Sequence, residues 1–415
     1  RTNYPHCIEY NPETHHFEYS KGWEILSQAK ATELSPNVVH FATQYGRDFQ
    51  PNHTITVRDI IRDQVGMFLF ESQNITIHNI GVHYMHGLGI VSQYCRNITM
   101  HQVQCAPREG STRLLASSAD FMHFSGCSGK ISIDSCRFVG AQDDPINVHG
   151  TNLRAVERVD DYTLHLRFMH PQSYGFQAFF AGDTVAFVQA STMLRYAENV
   201  VKTARLLSPR IMEVTFLRPI PKTLQLQSDC VENLTCTPEV EISHCYFSRT
   251  STRGTLVTTP RRVIIRNNTY DYTGMSAILI EGDASGWYES GPVKDVLIES
   301  NRFVGCAYNG HPSHAVIALN PSNTVVDARH PVHQNVRIIN NHFVTFGNPL
   351  LYAKSTSNLV FKGNSVEVNP SASETGSKWF ILDGCSDVVI KGNRFPVPFT
   401  LRTIQFVNMK PKLAK

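Results

Sequence analysis

The chain has 415 residues, of which 41% are hydrophobic and 18% charged, which is the composition of a folded protein with room for two domains or one elongated domain. Its net charge of +3 is too small over this length to indicate nucleic acid or a membrane surface as the partner. The sequence contains no run of about 18 apolar residues, and RTNYPHCIEY at its start has neither segment of a signal peptide, so we expect neither a transmembrane helix nor an export signal.

A nonapeptide pattern recurs along the chain, with apolar residues at alternate positions followed by a polar or small pair. Such alternation predicts a strand with one buried face. The spacing between successive copies varies, as in 97−74=23 and 130−97=33, whereas helical repeats keep a constant period. Coils of a parallel β-helix carry loops of variable length on a constant strand core and explain this variation. The copies are NITIHNIGV (74), NITMHQVQC (97), KISIDSCRF (130), EVEISHCYF (239), RVIIRNNTY (262), DVLIESNRF (295), NVRIINNHF (335), NLVFKGNSV (358) and DVVIKGNRF (387).

Asparagine or cysteine recurs near the seventh position of these copies. Asparagine tolerates the left-handed backbone conformation that a tight bend requires. We therefore expect the asparagines at this position to form the bends between strands; they are Asn268, Asn301, Asn341, Asn364 and Asn393.

The pattern stops between residues 130 and 239. Segments such as YTLHLRFM and RIMEVTFLRPIP in this gap are strand-like but lack the nonapeptide signature. We interpret residues 153–238 as an inserted, antiparallel, β-barrel-like subdomain. Residues 1–152 and 239–415 are then the N-terminal and C-terminal parts of one all-β, right-handed parallel β-helix. The exposed insertion offers a surface through which two copies could form a homodimer.

Most of the ten cysteines lie singly among apolar or small residues, which is typical of buried free thiols. Cys230 and Cys236 differ because they flank VENLT in a polar stretch. They are the best candidates for a disulfide.

Two adjacent carboxylates, Asp143 and Asp144, lie in GAQDDPINVHG, and Asp120 precedes them by 143−120=23 residues, the length of one short coil. Stacked strands are about 4.8 Å apart, so we expect Asp120 to lie one layer from Asp143 on the same face. Like charges this close raise at least one pKa, which lets one carboxyl stay protonated beside an ionised one. A solvated turn and a calcium site are the competing interpretations. The first does not explain the register of Asp120, and the second does not explain the histidines and arginines nearby.

These residues belong to longer motifs. DFMHFSGC and GAQDDPINVHGT, with GVHYMHGLGI before them and ILIEGDASGWYESGPVKDVLI after them, resemble glycoside hydrolase family 110. The resemblance extends from about residue 64 to 400 and includes the insertion after NVHGT. It implies an α-galactosidase that acts on terminal α-1,3-linked galactose, including blood-group B determinants, inverts the anomeric configuration, and needs neither a metal nor another cofactor.

The family resemblance makes Asp120, Asp143 and Asp144 the catalytic candidates. Polygalacturonases, another inverting β-helix family, also place a carboxylate one coil before an Asp-Asp pair. By that analogy we predict that Asp143 is the general acid and that Asp120 and Asp144 activate the attacking water.

A galactose-binding pocket needs an aromatic platform for the apolar face of the sugar and polar groups for its hydroxyls. We predict such contacts from residues close to the aspartates and from the loop LIEGDASGWYESG. The candidates are Arg113, His123, Asn147, His149, Glu281, Asp283 and Trp287.

Two other functions are compatible with these patterns. One is a different β-helix carbohydrate enzyme, such as a polygalacturonase-like hydrolase or a uronate lyase; lyases typically require calcium and a basic residue. The other is a glycan-binding β-helix adhesin without catalytic activity. Because an α-galactoside glycan is the expected partner, we expect the protein to be secreted or periplasmic.

Overall fold

The computed structural model describes residues 6–19, 26, 28–42, 49–58, 62, 64–309, 315–369 and 378–413. Within these ranges the parallel strands of successive coils stack into three sheets, called here sheets 1, 2 and 3. Sheet 1 contains Gln73–His78, Arg96–His101, Ser128–Asp134, Glu239–Ser243, Arg262–Arg266, Asp295–Glu299, His333–Ile339, Thr356–Lys362 and Ser386–Lys391.

Sheets 2 and 3 complete each coil. Sheet 2 contains Gly81–Val82, Gln104–Cys105, Arg137–Val139, Tyr246–Thr250, Thr269–Thr273, Arg302–Val304, His342–Thr345 and Ser365–Val368. The β-helical part of sheet 3 contains Val65–Phe70, Leu88–Gln93, Met122–Ser125, the start of Ile146–Arg158, Thr255–Val257, Ile278–Ile280, Ile317–Leu319, Leu351–Lys354, Phe380–Asp383 and Ile404–Val407. Most of the nonapeptides span a strand of sheet 1, the turn after it and the first residues of the following strand of sheet 2, so the predicted right-handed parallel β-helix is confirmed.

Apolar side chains at equivalent positions stack along the axis of the β-helix. In sheet 2 the rings of Phe138, Phe247, Tyr270, Phe303 and Phe343 form a continuous column with centroid separations of 5.0, 4.4, 5.2 and 4.9 Å. Each of these rings is buried. A single coil cannot bury its apolar face alone, so stacking of this kind supplies the core.

The recurring asparagines form a different structure from the one predicted. The left-handed residue in each bend is the one before the asparagine, for example Asn267, Ser300 and Asn340, with φ of 55°, 54° and 56°. The asparagine itself is buried and joins a ladder in which each side-chain amide donates to the next side-chain oxygen, as from Asn268 to Asn301 at 3.0 Å. The expectation that these asparagines adopt the left-handed conformation was wrong. Asparagine recurs at this position because its side chain forms hydrogen bonds with the neighbouring coils inside the β-helix.

Antiparallel strands lie between the two parts of the β-helix. They are the later part of Ile146–Arg158, Thr163–Arg167, Thr184–Gln189, Leu194–Ser208, Ile211–Phe216 and Cys230–Asn233. A separate apolar cluster around Phe168, Phe187 and Val214 fills their interior. Residues 146–148 pair in parallel within sheet 3, whereas residues 152–158 of the same strand pair with the inserted strands. The insertion is therefore fixed to the β-helix by a continuous strand.

The remaining regular structure lies outside the three sheets and the insertion. His6–Tyr10 pairs with Phe17–Tyr19 and Thr54–Arg58, and Lys30–Ser35 pairs with Val38–Ala42. Glu289–Ser290 pairs with Gly150 and Thr151, and Leu401–Thr403 is a 3₁₀ turn. Among the described residues, no helix has the length and apolar character needed to cross a membrane.

Candidate active site

The three aspartates of the sequence motif lie at one edge of sheet 3. In the paired strands Met122 is opposite Ile146, an offset of 146−122=24 residues. The Phe121 N–H also donates to the Asp144 carbonyl at 3.2 Å. Asp120 is therefore aligned with Asp144 and not, as the spacing of 23 suggested, with Asp143. The coil is one residue longer than the repeat because the register shifts by one residue in sheet 1, where Arg96 pairs with Ser128 but Ile98 pairs with Ile131.

These carboxylates line a cavity of about 400 Å³. Its floor is formed by the edge of sheet 3, and the loop after Ile278–Ile280 contributes a second side. Residues 172–174 and Phe176 of the insertion form a further wall, so the insertion borders the same cavity as the aspartates. The cavity has the size of a small-ligand site.

Asp120 is almost completely buried, with 3% of its side chain exposed. His123 donates from Nδ1 to Asp120 Oδ2 at 2.8 Å. Burial opposes ionisation of this carboxyl, but the hydrogen bond and charge of His123, with the charges of Arg62 and Arg253, outweigh it and lower its pKa below the ordinary value. Asp120 is therefore held as a carboxylate.

Asp144 has the opposite electrostatic character. Burial is the main cause that raises its pKa well above the ordinary value, and the negative charges of Asp143 and Asp120 add to it. Arg253 donates from Nη2 to Asp144 Oδ2 at 2.8 Å and opposes this shift. The surroundings thus shift the pKa values of the two carboxyls in opposite directions, as in an acid–base pair.

Asp143 is the most accessible of the three, with 14% of its side chain exposed. Its carboxylate forms an ion pair with Arg62. The guanidinium of Arg62 also lies 5.4 Å from the ring centroid of Trp287, so it bridges the aspartate and the aromatic side of the cavity.

His123 and His149 contact each other in the lining of the cavity. Their Nε2 atoms are 2.9 Å apart, and His149 Nδ1 donates to the Gly150 carbonyl at 2.7 Å. Burial lowers the pKa of both rings, but the hydrogen bond and charge of Asp120 reverse the effect at His123. The pKa of His123 is therefore raised and that of His149 lowered.

Asn147 is buried in the cavity wall and donates from Nδ2 to Glu289 Oε1 at 3.4 Å. No donor among the described residues reaches its Oδ1 atom. Because a buried acceptor without a donor is costly, Asn147 is well placed to receive a hydroxyl hydrogen bond from a ligand.

Glu281 lines the cavity directly after strand Ile278–Ile280. Burial raises its pKa to about 7, and the charges of Glu289 and Asp283 contribute while that of Arg253 opposes. Near neutral pH this carboxyl can therefore either donate or accept a hydrogen bond.

The raised pKa of Glu281 predicts a pH dependence of stability. A carboxyl with a raised pKa in the folded state favours folding at low pH, and this contribution disappears as the pH rises from about 4.5, the ordinary pKa of a glutamate, to about 7. We expect the melting temperature of Glu281→Gln to fall less between pH 5 and pH 8 than that of the unmodified chain. Glu239→Gln, at an exposed carboxyl, is the control. Parallel curves for Glu281→Gln and the parent chain would contradict the assignment.

Asp283 stabilises the loop that carries Trp287. Its carboxylate accepts the backbone N–H groups of Ser285, Gly286, Trp287 and Tyr288. These bonds outweigh burial and lower its pKa. Although Asp283 borders the cavity, its oxygens are engaged by the loop.

Trp287 is held at the rim by this loop. Its ring stacks on His170 of the insertion at 3.9 Å, with 45% of the residue exposed. It presents an aromatic surface at the mouth of the cavity.

Two predictions need correction. Arg113 lies outside this cavity, with its guanidinium 4.8 Å from the Tyr84 ring centroid at a second cavity, so it is not available to a ligand beside the aspartates. Cys230 and Cys236 are free thiols and the predicted disulfide is wrong. Cys230 packs in an apolar cluster, while Asn233 accepts the backbone N–H of Cys236 and turns the chain away.

Sequence reasoning missed several residues of the cavity, above all Arg62 and Arg253. Arg62 precedes the first recognisable repeat, so its position relative to the aspartates could not be inferred from the repeat spacing. Arg253 could have been found, because Ile146 pairs with Thr255 at an offset of 255−146=109, which aligns Arg253 with Asp144. The missed wall residues Gln172 and Tyr174 lie in the insertion, which has no repeat.

The described residues include no group of three or more His, Cys, Asp or Glu side chains arranged to hold a metal ion. Near the aspartates the arginines supply the positive charge, through their contacts with Asp143 and Asp144.

The comparisons with known proteins agree with the motifs. Residues 163–231 match the family model described as GLAA-B beta-barrel domain II. The alpha-1,3-galactosidase A of Bacteroides fragilis is 61% identical over 418 residues, which covers 99% of this chain and 68% of that protein. The alpha-1,3-galactosidase B of Bacteroides thetaiotaomicron is 33% identical over 423 residues, which covers 98% of this chain and 68% of that protein.

Among solved structures, the tailspike protein gp49 from Pseudomonas phage LKA1 aligns with 82% of this chain and 72% of its own at 11% identity. The TM-score is 0.17.

Proposed function

Because this chain belongs to glycoside hydrolase family 110, we propose that it is an exo-acting α-galactosidase that releases terminal α-1,3-linked galactose from glycans and inverts the anomeric configuration. The observation that carries the proposal is the convergence of Asp120, Asp143 and Asp144 in one cavity, in three different electrostatic environments. A cavity of about 400 Å³ suits the terminal sugar of a glycan.

Asp120 is the base in this mechanism. It is ionised, buried and hydrogen-bonded through one oxygen, so its other oxygen can orient the attacking water and take its proton. Asp144, whose pKa burial raises, accepts a hydrogen bond from Arg253 and forms part of the floor that positions the water.

Asp143 is the general acid in this mechanism. It is the most accessible of the three carboxyls and therefore the one that a leaving sugar can reach most easily. Its carboxylate contacts Arg62, so the substrate must displace the guanidinium before this carboxyl can reach the glycosidic oxygen. An inverting reaction needs about 6.5–9.5 Å between acid and base carboxyls, which leaves room for water.

The remaining cavity residues bind the sugar. Asn147 accepts from a hydroxyl, Glu281 exchanges hydrogen bonds near neutral pH, and Trp287 packs against the apolar face of the galactose. Six carboxyl side chains line the cavity, against two arginines, Arg62 and Arg253, so the lining is acidic. A neutral hexose fits such a lining better than a uronate, which argues against the polygalacturonase-like and lyase alternatives.

The activity test is hydrolysis of an α-1,3-galactosyl disaccharide followed by proton NMR from the first minute. We expect β-galactose as the initial product, because water attacks the face opposite the leaving group. Parallel reactions with α-1,4- and α-1,6-linked disaccharides test the specificity for the α-1,3 linkage. Comparing a fucosylated blood-group B trisaccharide with the linear disaccharide tests the preference for branched or linear substrates.

Initial α-galactose would refute inversion but leave the galactosidase activity intact. Absence of galactose release from every α-linked disaccharide would refute the proposed activity. In that case the affinity for a glycan would be measured for the parent chain and for Asp143→Asn. Equal affinities would identify the protein as a glycan-binding module without catalytic activity.

A further inference from the structure

Two histidines connect the candidate base to the backbone of the neighbouring strand. His123 Nδ1 lies 2.8 Å from Asp120 Oδ2, the two histidine Nε2 atoms are 2.9 Å apart, and His149 Nδ1 lies 2.7 Å from the Gly150 carbonyl oxygen. The side chains of His123 and His149 are only 13% and 5% exposed. The series of contacts is therefore continuous and largely buried, and both rings border the cavity.

The number of protons in this series of hydrogen bonds follows from the geometry of the contacts. The Gly150 carbonyl can only accept, so His149 Nδ1 carries a proton. The two Nε2 atoms must share one proton, because two lone pairs at 2.9 Å would repel each other. A third proton lies between His123 and Asp120. Three hydrogen bonds thus contain three protons.

Neighbouring charges decide which atoms hold these protons. The charges of Arg62 and Arg253 favour the carboxylate at Asp120, and its negative charge favours a cation at the adjacent His123. Glu289 lies on the other side, 3.6 Å from His149 Nε2, and also favours a positive charge in the histidine pair, while Arg62 opposes it. The proton shared by the Nε2 atoms stays on the ring that contacts the carboxylate.

We propose that His123 and His149 are positioning residues that hold Asp120 as an oriented carboxylate, with His123 as a doubly protonated cation and His149 as a neutral ring protonated on Nδ1. This inference rests on the proposed function and deepens it. It replaces the prediction that these histidines bind the substrate: their ring nitrogens are occupied by Asp120, by each other and by Gly150. The arrangement fixes Asp120 Oδ2 and leaves its second oxygen for water.

The kinetic test uses His123→Asn, whose amide N–H lies near the position of Nδ1 but carries no charge. Loss of the cation raises the pKa of Asp120, so the acidic limb of the kcat/KM profile moves to higher pH. We expect kcat to fall by about 10- to 100-fold, the typical contribution of an orienting partner, with KM changed by less than about 3-fold. His149→Gln, which keeps an acceptor for His123, should retain more activity than His149→Leu.

The matched control is His165→Asn. His165 contacts the carboxylate of Glu157 at 2.7 Å but lies on the insertion, outside the cavity. It should leave kcat and the pH profile unchanged. If His123→Asn raises KM at constant kcat, or leaves the acidic limb in place, the positioning role is refuted.

A second readout does not depend on activity. In the chain labelled with ¹⁵N-histidine, NMR at neutral pH should show one ring protonated on both nitrogens, whose signals disappear in His123→Asn. Thermal melting checks that the variants are folded. A neutral His123 ring would overturn the inference even if galactose is released. A doubly protonated His123 in a chain that cleaves no α-galactoside would refute the proposed function alone.

Discussion

Replacing Asp143 with asparagine is expected to lower kcat for an α-1,3-galactosyl disaccharide by about 10²- to 10⁴-fold, the range that a general acid contributes. The asparagine cannot donate a proton to the departing oxygen. A 4-nitrophenyl α-galactoside needs less protonation at its leaving group, so the loss on this substrate should be smaller. Comparing the two substrates therefore tests the acid role.

Asp120→Asn separates the base from the acid. It should lose a similar factor on both substrates, and azide, which needs no base, should restore turnover and give β-galactosyl azide. Asp134→Asn is the control, since Asp134 accepts hydrogen bonds from Ser243 and His244 outside the cavity. If azide restores Asp143→Asn and not Asp120→Asn, the two roles are reversed.

Replacing Asn301 with alanine is expected to lower the free energy of unfolding by about 3 kcal/mol, because it leaves several buried groups without partners at about 1–3 kcal/mol each. The Asn301 side chain accepts from the backbone and side-chain amides of Asn268, both at 3.0 Å, and donates to Ile265 and Asn341 at 2.8 and 3.1 Å. Thermal and urea unfolding measure the loss.

Asn301→Leu keeps the volume and removes the same hydrogen bonds, so it should destabilise the chain comparably. Arg302→Ala changes an exposed neighbour on the same coil and should alter stability by less than about 0.5 kcal/mol. Unfolding of Asn301→Leu at the same temperature as the parent chain would show that the ladder contributes nothing to stability.

The strands of sheet 1 were predictable because a single physical rule governs them. Alternate apolar residues must face the interior, so Ile131 and Ile133 are buried while Lys130 is exposed. Their bends were placed correctly but explained wrongly, since alternation does not reveal that Asn301 faces Asn268 and Asn341 inside the coil.

The cavity residues that could be predicted are those on or beside the repeated strands, because the repeat aligns them with one another. Asp120, Asn147 and Glu281 lie on or beside the strands of sheet 3, and the structure brings all three to one cavity. Arg113 was predicted only because it lies near the aspartates in sequence. Its side chain contacts Tyr84 at a second cavity, away from the aspartates.

The sequence by itself determined the β-helix, the position of the insertion and the three aspartates, because each follows from local alternation and a repeat length close to one coil. Only the tertiary structure decided the pairing of Asp143 with Arg62, of Asp144 with Arg253, and of Asp120 with His123. Protonation depends on burial and on charges within a few ångströms, and residues 81 and 109 positions apart become neighbours only when the coils stack.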